Sequence, residues 1–252
     1  MTLTSQMHDK GVRVITMNYP PVNALPVQGW FDVADAMIEA GKDADTRVVV
    51  LRAEGKGFNA GVDIKEMQKI EGFSGILGAN RGCYESFKAI YECPVPVIAA
   101  INGFCVGGGV GFAGNADTII ASEDAYFGVP EVDRGALGAA THLSRLVPQN
   151  LLRSMYYSSR TITAQRLYEL GTVWDVVPLD KLEETALSFA SEIAAKDPRV
   201  IRAAKAALNG IDPMDVNASY RFEQGFTFEL NLAGVADEHR DEFVATGKNL
   251  DT

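Results

Sequence analysis

Cysteine and histidine are scarce in this chain, three of each among 252 residues. Cys83, Cys93 and Cys105 show neither metal-ligand spacing nor an even disulfide set. They read as buried thiols of a protein in a reducing cytoplasm, with no metal site expected. Long apolar runs are also missing. The longest, at 95–101, is far too short to cross a bilayer, and the leading MTLTSQMHDKGVRVITM has no apolar core of signal-peptide length. No membrane association is therefore expected. Positive charge is in deficit, with 23 Lys and Arg against 33 Asp and Glu and a net charge of −10. Without a basic stripe, nucleic acid is not expected as a partner. A polyanionic ligand would have to be held by local positive charge and by main-chain N–H groups.

What is present is ordinary for a globular enzyme, with 47% hydrophobic and 22% charged residues. β-branched runs at 12–17, 47–52, 95–101, 117–122 and 173–177 predict strands. Helical segments, the first at 28–40, alternate with them, which predicts an α/β class. Beyond residue 177 no strand is evident. Asp197-Pro198 reads as a helix N-cap and first-turn proline, and Asn209-Gly210 as a stop. Two more helices are expected at 218–231 and 237–246. The chain thus divides into a core, 1–195, and a helical region, 196–252.

Three segments could carry chemistry. Residues 55–66, GKGFNAGVDIKE, place glycines after a buried strand and before a helix, with Lys56 as the nearest fixed positive charge. Residues 102–111, NGFCVGGGVG, hold three successive glycines, as close approach to a ligand or close helix packing requires. Gly109 to Gly114 spell GxGxxG, but strand does not lead straight into the first glycine, which argues against a dinucleotide site. Residues 127–142, FGVPEVDRGALGAATH, hold Glu131 and Asp133. Extended chain would point both carboxylates the same way and raise one pKa, as acid–base work needs; a solvated acidic edge is the plainer alternative. His142, taken alone, fits a hydrogen-bonded core side chain better than a catalyst.

The order and content of PVNAL, FNAGVDIKE, INGFCVGGG, FGVPEVDRG and TITAQRLYELGTVWDVVP resemble the crotonase (enoyl-CoA hydratase/isomerase) superfamily over nearly the whole chain. The resemblance implies a spiral of ββα units with a C-terminal helical trimerisation region, in a homotrimer or dimer of trimers. It implies an acyl-CoA substrate, the coenzyme A arriving with the substrate and no cofactor bound permanently. It also implies a thioester oxyanion hole made by the N–H groups of Val62 and Gly108. Lys56 matches a position that contacts CoA phosphate. Ala24, Ala60, Gly61, Asp63 and Ile64 match the adenine and pantetheine path, although Asp63 also suits a helix cap.

The departures bear on the reaction. Hydratases of the family use two glutamates. The second matches Glu131, but the first falls at Gly111, which implies a missing carboxylate and extra space. ALGAATH at 136–142 lacks the usual Pro-Gly-x-Gly-Gly continuation and is expected to bring His142 near the acyl group. These runs, with the tail NASYRFEQGFTFELNLAGVADEHRDEF, are similar to a steroid-degrading branch that opens the ring of a bicyclic CoA thioester by hydrolysing a carbon–carbon bond, a retro-Claisen reaction late in cholesterol breakdown. Glu131 is then the first candidate to activate water, with Asp133 and His142 behind it. The rival readings are an enoyl-CoA isomerase, a hydratase with a substitute acid, and a non-catalytic CoA-binding subunit.

Overall fold

The computed structural model describes residues 2–70 and 72–247. Its strands are β1 (Thr2–His8), β2 (Val12–Asn18), β3 (Val48–Ala53), β4 (Val97–Ile101), β5 (Phe104–Val106), β6 (Thr118–Ser122), β7 (Tyr126–Gly128), β8 (Ile162–Thr163) and β9 (Asp175–Val177). They form two sheets. The larger runs β1-β2-β3-β4-β6-β9 and is parallel except for the β1–β2 hairpin. The smaller runs β5-β7-β8. In the pairs β4–β5 and β6–β7, the chain lays one strand in the large sheet and then a short one in the small sheet. That is the ββα rhythm expected above.

Helices α1 (Val27–Lys42), α2 (Ile64–Met67), α3 (Ser74–Tyr91), α4 (Gly108–Asn115), α5 (Ala140–Leu143), α6 (Gln149–Ser158) and α7 (Ala164–Glu169) connect the strands. α8 (Leu182–Ala194), α9 (Pro198–Gly210), α10 (Val216–Leu232) and α11 (Val235–Thr246) follow. All five expected strands and the expected helices are found, with ends moved by a residue or two. Asp197 does cap α9, accepting the Arg199 N–H at 2.9 Å.

The central strands of the large sheet are buried on both faces, as β-branched parallel strands require. Alternate residues face opposite ways. Val12, Val14, Val48, Val50, Ile98 and Ile120 pack under Leu182, Ala186, Ala190 and Ala194 of α8. Ile15, Met17, Val49, Leu51, Val97 and Ile119 face the other way, into the main core with Trp30, Phe87 and Phe112. α1 and α3 approach closely at small residues: a Cβ on Gly82 would stand 2.8 Å from Trp30 Cβ. This seats the Trp30 indole directly beneath the site.

Candidate active site

A cavity of about 700 Å³ opens between the loop at 60–64, the start of α4, the cavity face of α3, the loop at 130–139 and the C-terminal helices α10 and α11. Two loops meet on its floor. Leu25 N–H donates to Gly61 O at 2.8 Å, and Asp63 N–H donates to Leu25 O at 2.9 Å. The Val62 N–H lies between these bonds and is given to no acceptor among the described residues. The second loop delivers Gly108 as the first residue of α4, where a helix leaves its N–H groups unpaired. A Cβ on Gly61 would stand 3.3 Å from Gly108 N, so the two loops touch.

Buried Asn59 splices them. Its carbonyl accepts the Val106 N–H at 3.0 Å, its Oδ1 accepts the Gly61 N–H at 2.8 Å, and its Nδ2 donates to Asn23 O at 2.6 Å. Trp30 supports both from below. Its Nε1–H donates to Leu25 O at 3.2 Å, and its ring lies so close to Gly108 that a Cβ there would come within 2.3 Å of Cη2. Neither Asn59 nor Trp30 was expected. A lone tryptophan on an amphipathic helix carries no mark that separates it from any other core residue.

Ala24, Ala60, Gly61, Val62, Asp63, Ile64, Gly108 and Glu131 all line the cavity; Lys56, Asp133 and His142 do not. Asp63 caps α2, accepting the N–H groups of Lys65 and Glu66 at 3.0 and 3.1 Å. Lys56 is exposed on the turn tied to Asn23, whose Nδ2 donates to Glu54 O and Gly57 O.

Glu131 and Asp133 do not share a face. Pro130–Arg134 is a 3₁₀ turn with proline in its first position, not extended chain, so residues two apart diverge. Glu131 turns to the cavity beside Gly107, whose φ is +57°; a Cβ there would stand 2.7 Å from Glu131 Oε1. Glu131 Oε2 is buried without a hydrogen-bond partner. Burial, and next the charge of Glu223, push its pKa up to about 8.

Gly111 leaves no open space. A Cβ added to it would lie 2.1 Å from Phe87 Cζ, so an aromatic ring stands where the first hydratase glutamate would project. His142 lies behind that ring. It is fully buried, meets Phe87 and Tyr220 at centroid distances of 4.7 and 4.8 Å, and its Nδ1 pairs with Asn115 Nδ2 at 3.0 Å. Burial, and next the Arg145 charge, lower its pKa to about 3, so the imidazole is neutral. The expectation that 136–142 brings His142 near the acyl group therefore fails, because Phe87 and Tyr220 stand between it and the cavity. The glycines of the GxGxxG run are likewise used for packing. Gly109 abuts Asn59, Gly111 Phe87 and Gly114 His142.

The loop at 136–140 is held by Glu223 of α10. This buried carboxylate accepts the Ala140 N–H at 2.8 Å, the Thr141 N–H at 3.0 Å and the Tyr156 hydroxyl at 3.0 Å. Tyr156 in turn accepts the Gly138 N–H at 3.1 Å, and Gly138 packs against Glu131. Burial raises the pKa of Glu223 as well. Among the described residues no group of His, Cys, Asp and Glu is arranged to hold a metal ion, and no helix is long and apolar enough to cross a membrane.

A family model described as enoyl-CoA hydratase/isomerase matches residues 7–233. A relative from Rhodococcus jostii is 63% identical over 98% of this chain and 96% of its own length. Another, from Mycobacterium tuberculosis, is 65% identical over 97% and 99%. Both carry the name (7aS)-7a-methyl-1,5-dioxo-2,3,5,6,7,7a-hexahydro-1H-indene-carboxyl-CoA hydrolase. The solved structure of an enoyl-CoA hydratase/isomerase from Xanthobacter autotrophicus Py2 superimposes with a TM-score of 0.88 at 28% identity, covering 97% of this chain and 93% of that one.

Proposed function

The chain belongs to the enoyl-CoA hydratase/isomerase family, and on that premise we propose that it hydrolyses a carbon–carbon bond in the bicyclic CoA thioester named for those two relatives, opening its five-membered ring. The observation that carries this reading is the contact between Gly111 and Phe87. Two catalytic carboxylates cannot face one another here, so the paired-glutamate addition of water to a double bond lacks its first partner. Glu131 is left as the lining carboxylate not engaged in a helix cap.

In the named compound the C1 ketone adjoins C7a, a ring-fusion carbon that bears a methyl group and no hydrogen. Water attacks the C1 carbonyl while ionised Glu131 takes one of its protons. Collapse of the tetrahedral adduct breaks the C1–C7a bond. The electron pair flows through the conjugated double bond into the thioester carbonyl, whose oxygen lies between the N–H groups of Val62 and Gly108. A preorganised donor of this kind is worth about 3–4 kcal/mol to such a charge. Glu131 then returns its proton to carbon, and the product carries a new carboxylate.

The lining positions of Ala24, Ala60, Gly61, Asp63 and Ile64 support their assignment to the CoA path. Lys56, exposed on the adjoining turn, takes a CoA phosphate. The coenzyme A comes and goes with substrate and product. A homotrimer or dimer of trimers in the cytoplasm fits Phe222, Phe226 and Leu232, exposed on α10. Asp133 and His142 are left without a step. The test is turnover of the bicyclic ester beside crotonyl-CoA. Ring opening with negligible crotonyl-CoA hydration is expected; the reverse preference would return the protein to the hydratases.

A further inference from the structure

The reaction proposed above develops negative charge on two oxygens in turn. The thioester oxygen receives it when the carbon–carbon bond breaks. Before that, the attacked ring ketone holds it in the tetrahedral adduct, several bonds away. The Val62 and Gly108 N–H groups serve the first oxygen and cannot reach both. A second donor is required there.

Several side-chain donors on the cavity wall are committed. Thr227 donates to Leu137 O at 2.6 Å. Arg240 is taken up by Asn231 and Asp237. Arg134, whose Nη1 is also buried without a partner, lies against the Phe243 ring. Asn80 differs. It is nine-tenths buried, lines the cavity, and its Nδ2 has no partner. The orientation of its amide is set from behind: Gln224 Nε2 donates to Asn80 O at 2.8 Å and to Asn80 Oδ1 at 3.3 Å, which leaves the NH₂ end over. Asn80, Cys83 and Phe87 follow one another along one face of α3, and all three line the cavity. Glu131 lines the same cavity. A buried amide donor left unpaired carries a desolvation cost that a ligand carbonyl would remove.

We propose that the Asn80 side-chain amide is a second oxyanion donor, bound to the oxygen of the ring ketone that water attacks, and that it selects acyl-CoA esters carrying a ketone at that position. Electrons and atoms balance without a further reactant. The carbonyl π pair moves onto the oxygen held by Asn80 as the water oxygen bonds to carbon, and it returns when the C1–C7a bond breaks. Gln224 acts through Asn80 as a positioning residue.

This proposal rests on the ring-opening reading, and its test separates the two. Asn80→Leu removes the donor. Asn80→Asp keeps an acceptor for Gln224 and exchanges the amide donor for a carboxylate. Turnover of the bicyclic ester should fall about 10²–10³-fold in kcat/KM in both. Binding is then titrated for the keto ester and for an analogue with methylene in place of the five-ring ketone. The wild type should prefer the keto ester, and the variants should bind both alike. Wild-type ring opening with variants that turn over normally would overturn the Asn80 role alone. A wild type that does not open the ring but still discriminates keto from methylene through Asn80 would overturn the reaction and keep the contact. A wild type that does neither would overturn both. Should both variants fail to fold, equal wild-type affinity for the two esters still refutes the contact. If Arg134→Lys abolishes discrimination while Asn80→Asp keeps it, the donor is the guanidinium that lies 3.8 Å over the Phe243 ring.

Discussion

Phe87 occupies the volume that any side chain at Gly111 would need, its Cζ 2.1 Å from where a Cβ would stand. Glycine at 111 is thus matched by an aromatic ring on α3. Gly111→Ala should overpack this contact and lower stability by about 1–3 kcal/mol, read as a lower thermal midpoint. Gly111→Glu should not fold stably. Adding Phe87→Ala to Gly111→Glu should recover folding and raise crotonyl-CoA hydration above wild type. A stable Gly111→Glu single variant would show that Phe87 does not hold that space.

Glu131→Gln should lower kcat about 10²–10⁴-fold, the range for loss of a general base, while CoA-ester binding survives. Steady-state kinetics together with calorimetric titration separate the two effects. Wild-type turnover in this variant would remove Glu131 from its role.

The pH dependence has a definite sign. Burial raises the Glu131 pKa to about 8, so in the folded protein it keeps a proton that the unfolded chain releases from about pH 4.5 upward. Its contribution to stability is therefore fully present at low pH and is lost as pH rises toward about 8. Buried Glu223, with its pKa raised, acts in the same direction. Thermal midpoints should fall across this window, and less steeply in Glu131→Gln. Activity should run the opposite way, kcat/KM rising with pH toward about 8 as the carboxylate forms. An activity profile flat from pH 6 to 9 would be incompatible with Glu131 as the base.

Glu223 links the helical tail to the base by way of Tyr156 and Gly138. Glu223→Gln should weaken charge-assisted bonds worth about 1.5–3 kcal/mol each and lower the thermal midpoint. Because its negative charge raises the Glu131 pKa, the inflection in kcat/KM should also move to lower pH. Tyr156→Phe should loosen the loop and cut kcat with a smaller displacement of that inflection. An unmoved inflection in Glu223→Gln would confine Glu223 to holding the loop.

The large sheet was legible because Val48–Ala53 and Val97–Ile101 are buried on both faces and read as apolar runs. β1 was not, since six of its seven residues are exposed and TLTSQMH has no alternation to detect. The small sheet was missed because its strands are two or three residues long. The glycine loops and Glu131 announced themselves by residue type and order. Phe87, Trp30, Asn80 and Glu223 did not, because each acts through a contact between segments distant in the chain. Gln224 and Asn80 lie 144 residues apart. His142 is the hydrogen-bonded core side chain its own surroundings in sequence suggested; only the resemblance drew it toward the acyl group.

The central claim is ring opening by water. The direct measurement is incubation with the bicyclic CoA ester in heavy-oxygen water, followed by fragmentation mass spectrometry of the product. A new carboxylate should form, and the carbon dioxide lost from it should carry one heavy oxygen. A product of unchanged mass would show isomerisation, and heavy oxygen held in a ring alcohol would show hydration; either result contradicts the account.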